Sequence, residues 1–205
     1  LGTLGYLQFD TGSSAQNAPG RLTWNAEKGT LNLQTGNGAV TMQLGQEVIQ
    51  LVHNETGSTL INGRAVRITS GTGDHPHVDY LDSSSVATSS SGLGLLTQDI
   101  APGEQGYVTS SGLVHDLDTS AWTPGTVLYA GSAGTFTPTR PVTGNIVQVG
   151  YVVTQDGVNG SVYVQLDQSF QPMVGASCVV PGVAGEGTFQ WRSLNSRTWD
   201  ITCVY

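Results

Sequence analysis

Histidines, paired aspartates and aromatic residues are where this 205-residue chain could do chemistry. The stretch Asp74-His75-Pro76-His77-Val78-Asp79 is the best metal-binding pattern. Alternate residues of an extended strand point the same way, which aligns His75 with His77, and Pro76 favours extension in the residue before it. A zinc site wants further close ligands. The plainer reading is therefore a surface loop with two solvated imidazoles; a third is a structural metal on a trimer axis, where three copies of one histidine suffice. Asp116 and Asp118 lie two apart and could share a strand face, as the carboxylates of a glycosidase must sit at a defined separation. The competing reading is a polar loop after Val114-His115. His53, His75, His77 and His115 have no surrounding motif of a Ser-His-Asp triad. Lys28 follows no glycine-rich phosphate loop, and no G-x-S-x-G elbow occurs despite the abundance of Gly and Ser. The expectation is a non-enzymatic protein with no catalytic residues, no cofactor and no metal.

Phe189, Trp191, Trp199 and Tyr205 are the candidates for an interface or for stacking on sugar rings, a role that Trp and Tyr often take. Their alternation is also what a core face or a trimer interface produces, and that reading is preferred. Cys203 shares the alternation. A bridge to Cys178 requires that their strands adjoin; two buried thiols are the alternative. Two cysteines make neither a disulfide framework nor a metal-ligand pattern. The sequons at Asn54 and Asn159 are expected by chance in this composition.

The elements that must position these residues read as strands throughout. Residues 1–20 mix Gly, Ser, Ala and Asn without a period and read as an arm or linker. Residues 21–46 alternate, with Leu22 and Trp24, Leu31 and Leu33, then Val40, Met42 and Leu44. The turn-formers Asn25 to Gly29 and Thr35 to Gly38 separate them, which predicts a three-stranded meander. Residues 47–168 hold further strands at 48–53, 60–69, 94–97, 106–109, 126–130, 145–153 and 161–167. Turn signals stand at Asn62-Gly63, Asp156-Gly157 and Asn159-Gly160. The Ser-rich tract 82–92 reads as a flexible loop entering a strand. Residues 169–205 read as a separate terminal module ending in an aromatic hairpin, whose face one hairpin cannot bury alone. No window has helical spacing and capping. The prediction is an all-β chain: a meander, a central small barrel or sandwich, and a terminal hairpin module.

Composition agrees and excludes partners. Charged residues are 11% of the chain, Gly numbers 28, and the formal net charge is −8. Short strands and tight turns suit that profile. An acidic chain without a basic cluster repels nucleic acid, and the apolar runs are too short to span a bilayer as helices. Leu1-Gly2-Thr3-Leu4-Gly5 lacks the basic start and apolar stretch of a signal peptide, and a first residue other than Met reads as a fragment or trimmed chain.

Several stretches stand in a suggestive order: Gly20-Arg21-Leu22-Thr23-Trp24, Gly29-Thr30-Leu31-Asn32-Leu33, residues 40–47, Asn54-Glu55-Thr56-Gly57, Gly63-Arg64-Ala65-Val66, Gly94-Leu95-Leu96-Thr97, residues 99–106, residues 109–114, residues 122–129 and Val149-Gly150-Tyr151-Val152. Across residues 20–167 this order resembles a module common in tail-fibre and head-fibre proteins of tailed bacteriophages. The central part is also similar to small capsid decoration proteins. The resemblance implies a virion structural protein, usually a homotrimer, with capsid or tail proteins as partners and no catalytic residues to carry over. The leading expectation is a trimeric fibre or appendage subunit on tail or head, with host attachment and a surface glycan as a further partner. A capsid decoration (cement) or adaptor protein is the alternative, and a carbohydrate-active enzyme a distant third.

Overall fold

The computed structural model describes residues 8–9, 18–36, 38–141, 146–169, 177–178, 187–195 and 198–204; the side chains of Val86 and of residues beyond Asp167 lie outside that description. Most of the expected arm, residues 1–20, also lies outside it.

The first strands are β1 (Leu22–Asn25), β2 (Thr30–Gln34) and β3 (Thr41–Gln43), paired antiparallel in that order as the alternation predicts. Leu22 stands opposite Leu33, Trp24 opposite Leu31, and Leu33 opposite Met42. The first turn is closed by Asn25, whose Oδ1 accepts from the Lys28 N–H at 2.9 Å, and by Gly29 at φ 65°. After β3 the chain tucks under itself: the Gln46 and Glu47 N–H groups donate to the Gln43 carbonyl at 3.1 and 3.0 Å.

Next come β4 (Val48–His53), β5 (Ala65–Thr72), β6 (His75–Tyr80), the single helical turn α1 (Val86–Ser89), β7 (Gly92–Leu96) and β8 (Gln105–Leu117). These five strands close on themselves, β8 pairing with β4, β4 with β6, β6 with β5, β5 with β7 and β7 with β8. All junctions are antiparallel except β4 with β6. Closure removes exposed sheet edges, and the barrel is filled by Val52, Val66, Val78, Leu96 and Val108 from the strands and by Leu60 and Ile100 from the connecting loops, each at most 1% exposed. Burial of such side chains contributes roughly 1.5–3 kcal/mol each.

The remaining central strands are β9 (Val127–Ala130), β10 (Phe136–Thr137), β11 (Ile146–Thr154) and β12 (Gly160–Ser169). They extend the sheet outward from β8 in the order β12, β11, β9, β10. The second half of β8 makes this possible. Ser111 is the last β8 partner of β4 and the first of β12. At Gly112 the backbone bends with φ 118°, where any Cβ would stand 2.6 Å from the Gln46 carbonyl oxygen. A second core lies between barrel and extension, joining Ala65, Leu81 and Leu95 from the barrel side to Val114, Leu128, Val149, Val162 and Val164.

Last are β13 (Ser177–Cys178), β14 (Gly187–Asn195) and β15 (Thr198–Val204), a separate antiparallel sheet with β14 central.

Three local readings differ. Residues 75–79 are not in a surface loop but make up most of β6, with Asp74 in the turn before it, because β5 supplies an antiparallel partner from Val66–Tyr80 to Thr72–His75. Asp116 is not in a polar loop either, since β8 runs on to Leu117 under pairing with β12. The Ser-rich tract is folded: the Thr88 hydroxyl donates to the Asp82 carbonyl at 2.9 Å and the Ser89 hydroxyl to the Ser85 carbonyl at 2.7 Å, bonds that tie a single helical turn to the chain before it.

Candidate functional site

Two groups of polar side chains stand out among the described residues. The first lies where the meander meets the barrel, in a groove of about 340 Å³ lined by Lys28, Gln43, Glu47, Leu113, His115 and Tyr163. Lys28 comes from the first meander turn, Glu47 from the link into β4, and His115 and Tyr163 from β8 and β12. Glu47 is 7% exposed and accepts from the Gln43 N–H at 3.1 Å. Burial pushes its carboxyl above the usual range, against the hydrogen bond from Gln43 and the charge of Lys28. Burial likewise pushes the His115 imidazole down, helped by Lys28 and opposed by Asp116. Gln46 ties the groove's rim, its Nε2 donating to the Lys28 carbonyl at 2.9 Å. The groove sets groups of the meander and its link facing groups of β8 and β12, and sequence reading named only Lys28 and His115 among them, neither with a role.

The second group sits at the parallel junction of the barrel. His53 ends β4 directly opposite His77 of β6. Their rings are 5.5 Å apart, and Glu55 Oε1 lies 3.1 Å from His53 Nδ1. Asn54, fully buried between His53 and Glu55, shapes this loop: its amide donates to the carbonyls of Ser58 and Ile100 at 2.9 and 2.7 Å, and its oxygen accepts from the Thr56 N–H. The alternation argument aligned His77 with His75. The structure instead brings His53 to His77 and puts His75 opposite Thr72 at the far end of the hairpin.

The other sequence candidates fall in different places. Asp118 is exposed and accepts from the Ser120 N–H and hydroxyl at 3.0 and 2.6 Å, a turn cap that lowers its carboxyl. Asp116 holds φ 59° at the end of β8. Phe189, Trp191 and Trp199 are described in backbone only: Phe189 stands opposite Cys203, Trp191 opposite Ile201 and Trp199 opposite Ser193. Tyr205 lies outside the described residues. Cys178 and Cys203 belong to strands on opposite sides of β14, so the adjoining strands that a bridge required are not formed.

A family model described as phage cement protein matches residues 42–166, more than half of the chain. The chain belongs to the phage cement protein family. It is a bacteriophage structural protein and a component of the virion, as the ordered sequence stretches implied. The cement-family region begins within β3 and ends within β12, and so takes in the barrel, its extension, Glu47 and the His53–His77 pair. Among solved structures, the head fiber gp8.5 N base of bacteriophage phi29 is similar with a TM-score of 0.39 and 16% identity, over 58% of this chain and 95% of that one. No curated protein matches the sequence. No helix among the described residues is long and apolar enough to cross a membrane.

Proposed function

We propose that this cement-family chain is a capsid decoration protein that stabilises the shell by binding its outer surface through the barrel and extension. The observation that carries the proposal is the extent of the family match, residues 42–166, which coincides with the two cores and the strands enclosing them. A closed barrel with a buried apolar interior is a rigid body, and rigid bodies add binding energy to a shell without losing it to reordering on contact. The chain acts by binding rather than catalysis on this reading.

A trimeric fibre or appendage is the second reading. It rests on the terminal sheet, where Phe189, Trp191 and Trp199 share one set of alternate register positions with Ile201 and Cys203. Three strands by themselves do not bury such a set, and threefold self-association is an economical cover. Host glycan stacking on the same residues belongs to this reading too.

Adding purified protein to phage shells assembled without it separates the readings. A decoration protein co-sediments with shells to saturation and raises the temperature at which they rupture. Protein that ignores shells while coating host cells would overturn the proposal in favour of attachment.

A further inference from the structure

We propose that His53, Glu55 and His77 form a binding site for zinc or a similar first-row divalent cation, and that the ion clips the barrel shut where β4 meets β6. One nitrogen of each imidazole and one Glu55 carboxylate oxygen lie within 4.8 Å of one another. Tetrahedral zinc with bonds of about 2.0–2.1 Å holds its donors about 3.4 Å apart. The His53 Nδ1 to Glu55 Oε1 separation of 3.1 Å is already at that spacing. No gap among the three donors exceeds 4.8 Å, so the widest has to close by at most about 1.4 Å.

Two details of hydrogen bonding point the same way. His53 Nδ1 is shielded from water yet forms no hydrogen bond, since its close approach to Glu55 lacks the geometry for one. A buried nitrogen without a partner is costly, and a cation would supply that partner. His77 Nδ1 lies 3.0 Å from the Ser70 hydroxyl, and with that bond kept Nε2 is the nitrogen that would bind the ion. An outer hydrogen bond of this kind is how metal-binding imidazoles are oriented. Two imidazoles and one carboxylate suit zinc and its neighbours rather than calcium, and a fourth position remains for water.

The position gives the ion something to do. The β4–β6 junction is a single residue pair, His53 opposite His77, whereas β4 with β8 and β5 with β6 each align six pairs. Both histidines of the cluster are the two members of that one pair, so an ion held there bridges the barrel's thinnest seam.

The test is calorimetric titration of zinc chloride into the full chain carrying Cys178→Ser and Cys203→Ser, which removes thiolate binding, alongside thermal unfolding. The expected result is one Zn²⁺ per chain and a raised melting temperature. Glu55→Gln, at an exposed position, weakens binding about tenfold or more; His77→Asn abolishes it; His75→Asn leaves it unchanged. No uptake by the parent protein, or uptake that survives both Glu55→Gln and His77→Asn, would overturn the site.

Discussion

The Asn54 side chain is completely buried, and its hydrogen bonds knit a single loop to the barrel floor. It donates to Ser58 and Ile100 and accepts from the Thr56 N–H and hydroxyl. Truncation to alanine takes the acceptor from the half-buried Thr56 N–H and a donor from the buried Ile100 carbonyl, while the exposed Ser58 carbonyl keeps its bond from the Thr56 hydroxyl. A buried polar group left unmatched costs about 1–3 kcal/mol, and more than one is affected here. Asn54→Ala is therefore expected to lose about 2–4 kcal/mol, read as a lower denaturant midpoint; an unchanged midpoint would mean that these bonds add nothing to stability. The same burial explains why the Asn54-Glu55-Thr56 sequon is not an available glycan acceptor in the folded chain: the amide nitrogen is already engaged.

At the scale of elements, the meander is held to the barrel through a link that buries a carboxyl. Glu47 is protonated more readily in the folded chain than in the unfolded one, where its ordinary value is 4.5. A raised folded value means that stability is fully present below pH 4.5 and declines as pH rises through the folded value. Glu47→Gln keeps an oxygen for the Gln43 N–H and removes the ionisation. The variant is expected to melt higher than the parent at neutral pH, and the difference should shrink toward pH 4.5. Asp82, Asp118 and Asp156 behave oppositely. Their carboxylates accept hydrogen bonds in turns that lower them, so their contribution is lost as pH falls below 3.8. Comparing variant with parent at each pH cancels those aspartates. A constant difference across the range would show that Glu47 does not titrate with folding. Element boundaries followed the local code where turns were strong: Asp156 Oδ1 accepts from the Val158 and Asn159 N–H groups at 2.7 and 2.8 Å, closing the β11–β12 hairpin that Asp156-Gly157 and Asn159-Gly160 announced. They failed at β10, two residues long, and at β8, whose 13 residues were read as four. The bend at Gly112 interrupts the alternation there while the pairing continues.

The whole molecule divides its stability unevenly. Barrel and extension share β8, and the second core draws on Ala65, Leu81 and Leu95 from the barrel side, so neither can lose its packing without the other. The terminal strands β13, β14 and β15 pair among themselves. A chain of residues 18–169 is therefore expected to unfold in one cooperative step, within about 3 °C of the full chain's main transition. Calorimetry checks this; two separate transitions from the shortened chain would show that barrel and extension are independent. On the proposal of shell binding, the same fragment should still decorate shells, whereas a role resting on the terminal aromatics would vanish with them.

Period-two alternation and turn chemistry are local, and they determined the all-β class, the meander with its Asn25 and Gly29 turn, and most strand positions before any contact was known. They also exposed the order of stretches shared with phage structural proteins. Strand partners are not local. Turns announce antiparallel neighbours, but nothing between His53 and His77 announces that β4 and β6 lie parallel, because that pairing exists only once β5 has folded back and β8 has closed the barrel. The tertiary structure alone decided that His77 meets His53 and Glu55 rather than His75, that Glu47 is buried under the meander, and that one bent strand serves two cores. Each depends on which surfaces exclude water together, and that is a property of the closed sheet rather than of any stretch of the chain.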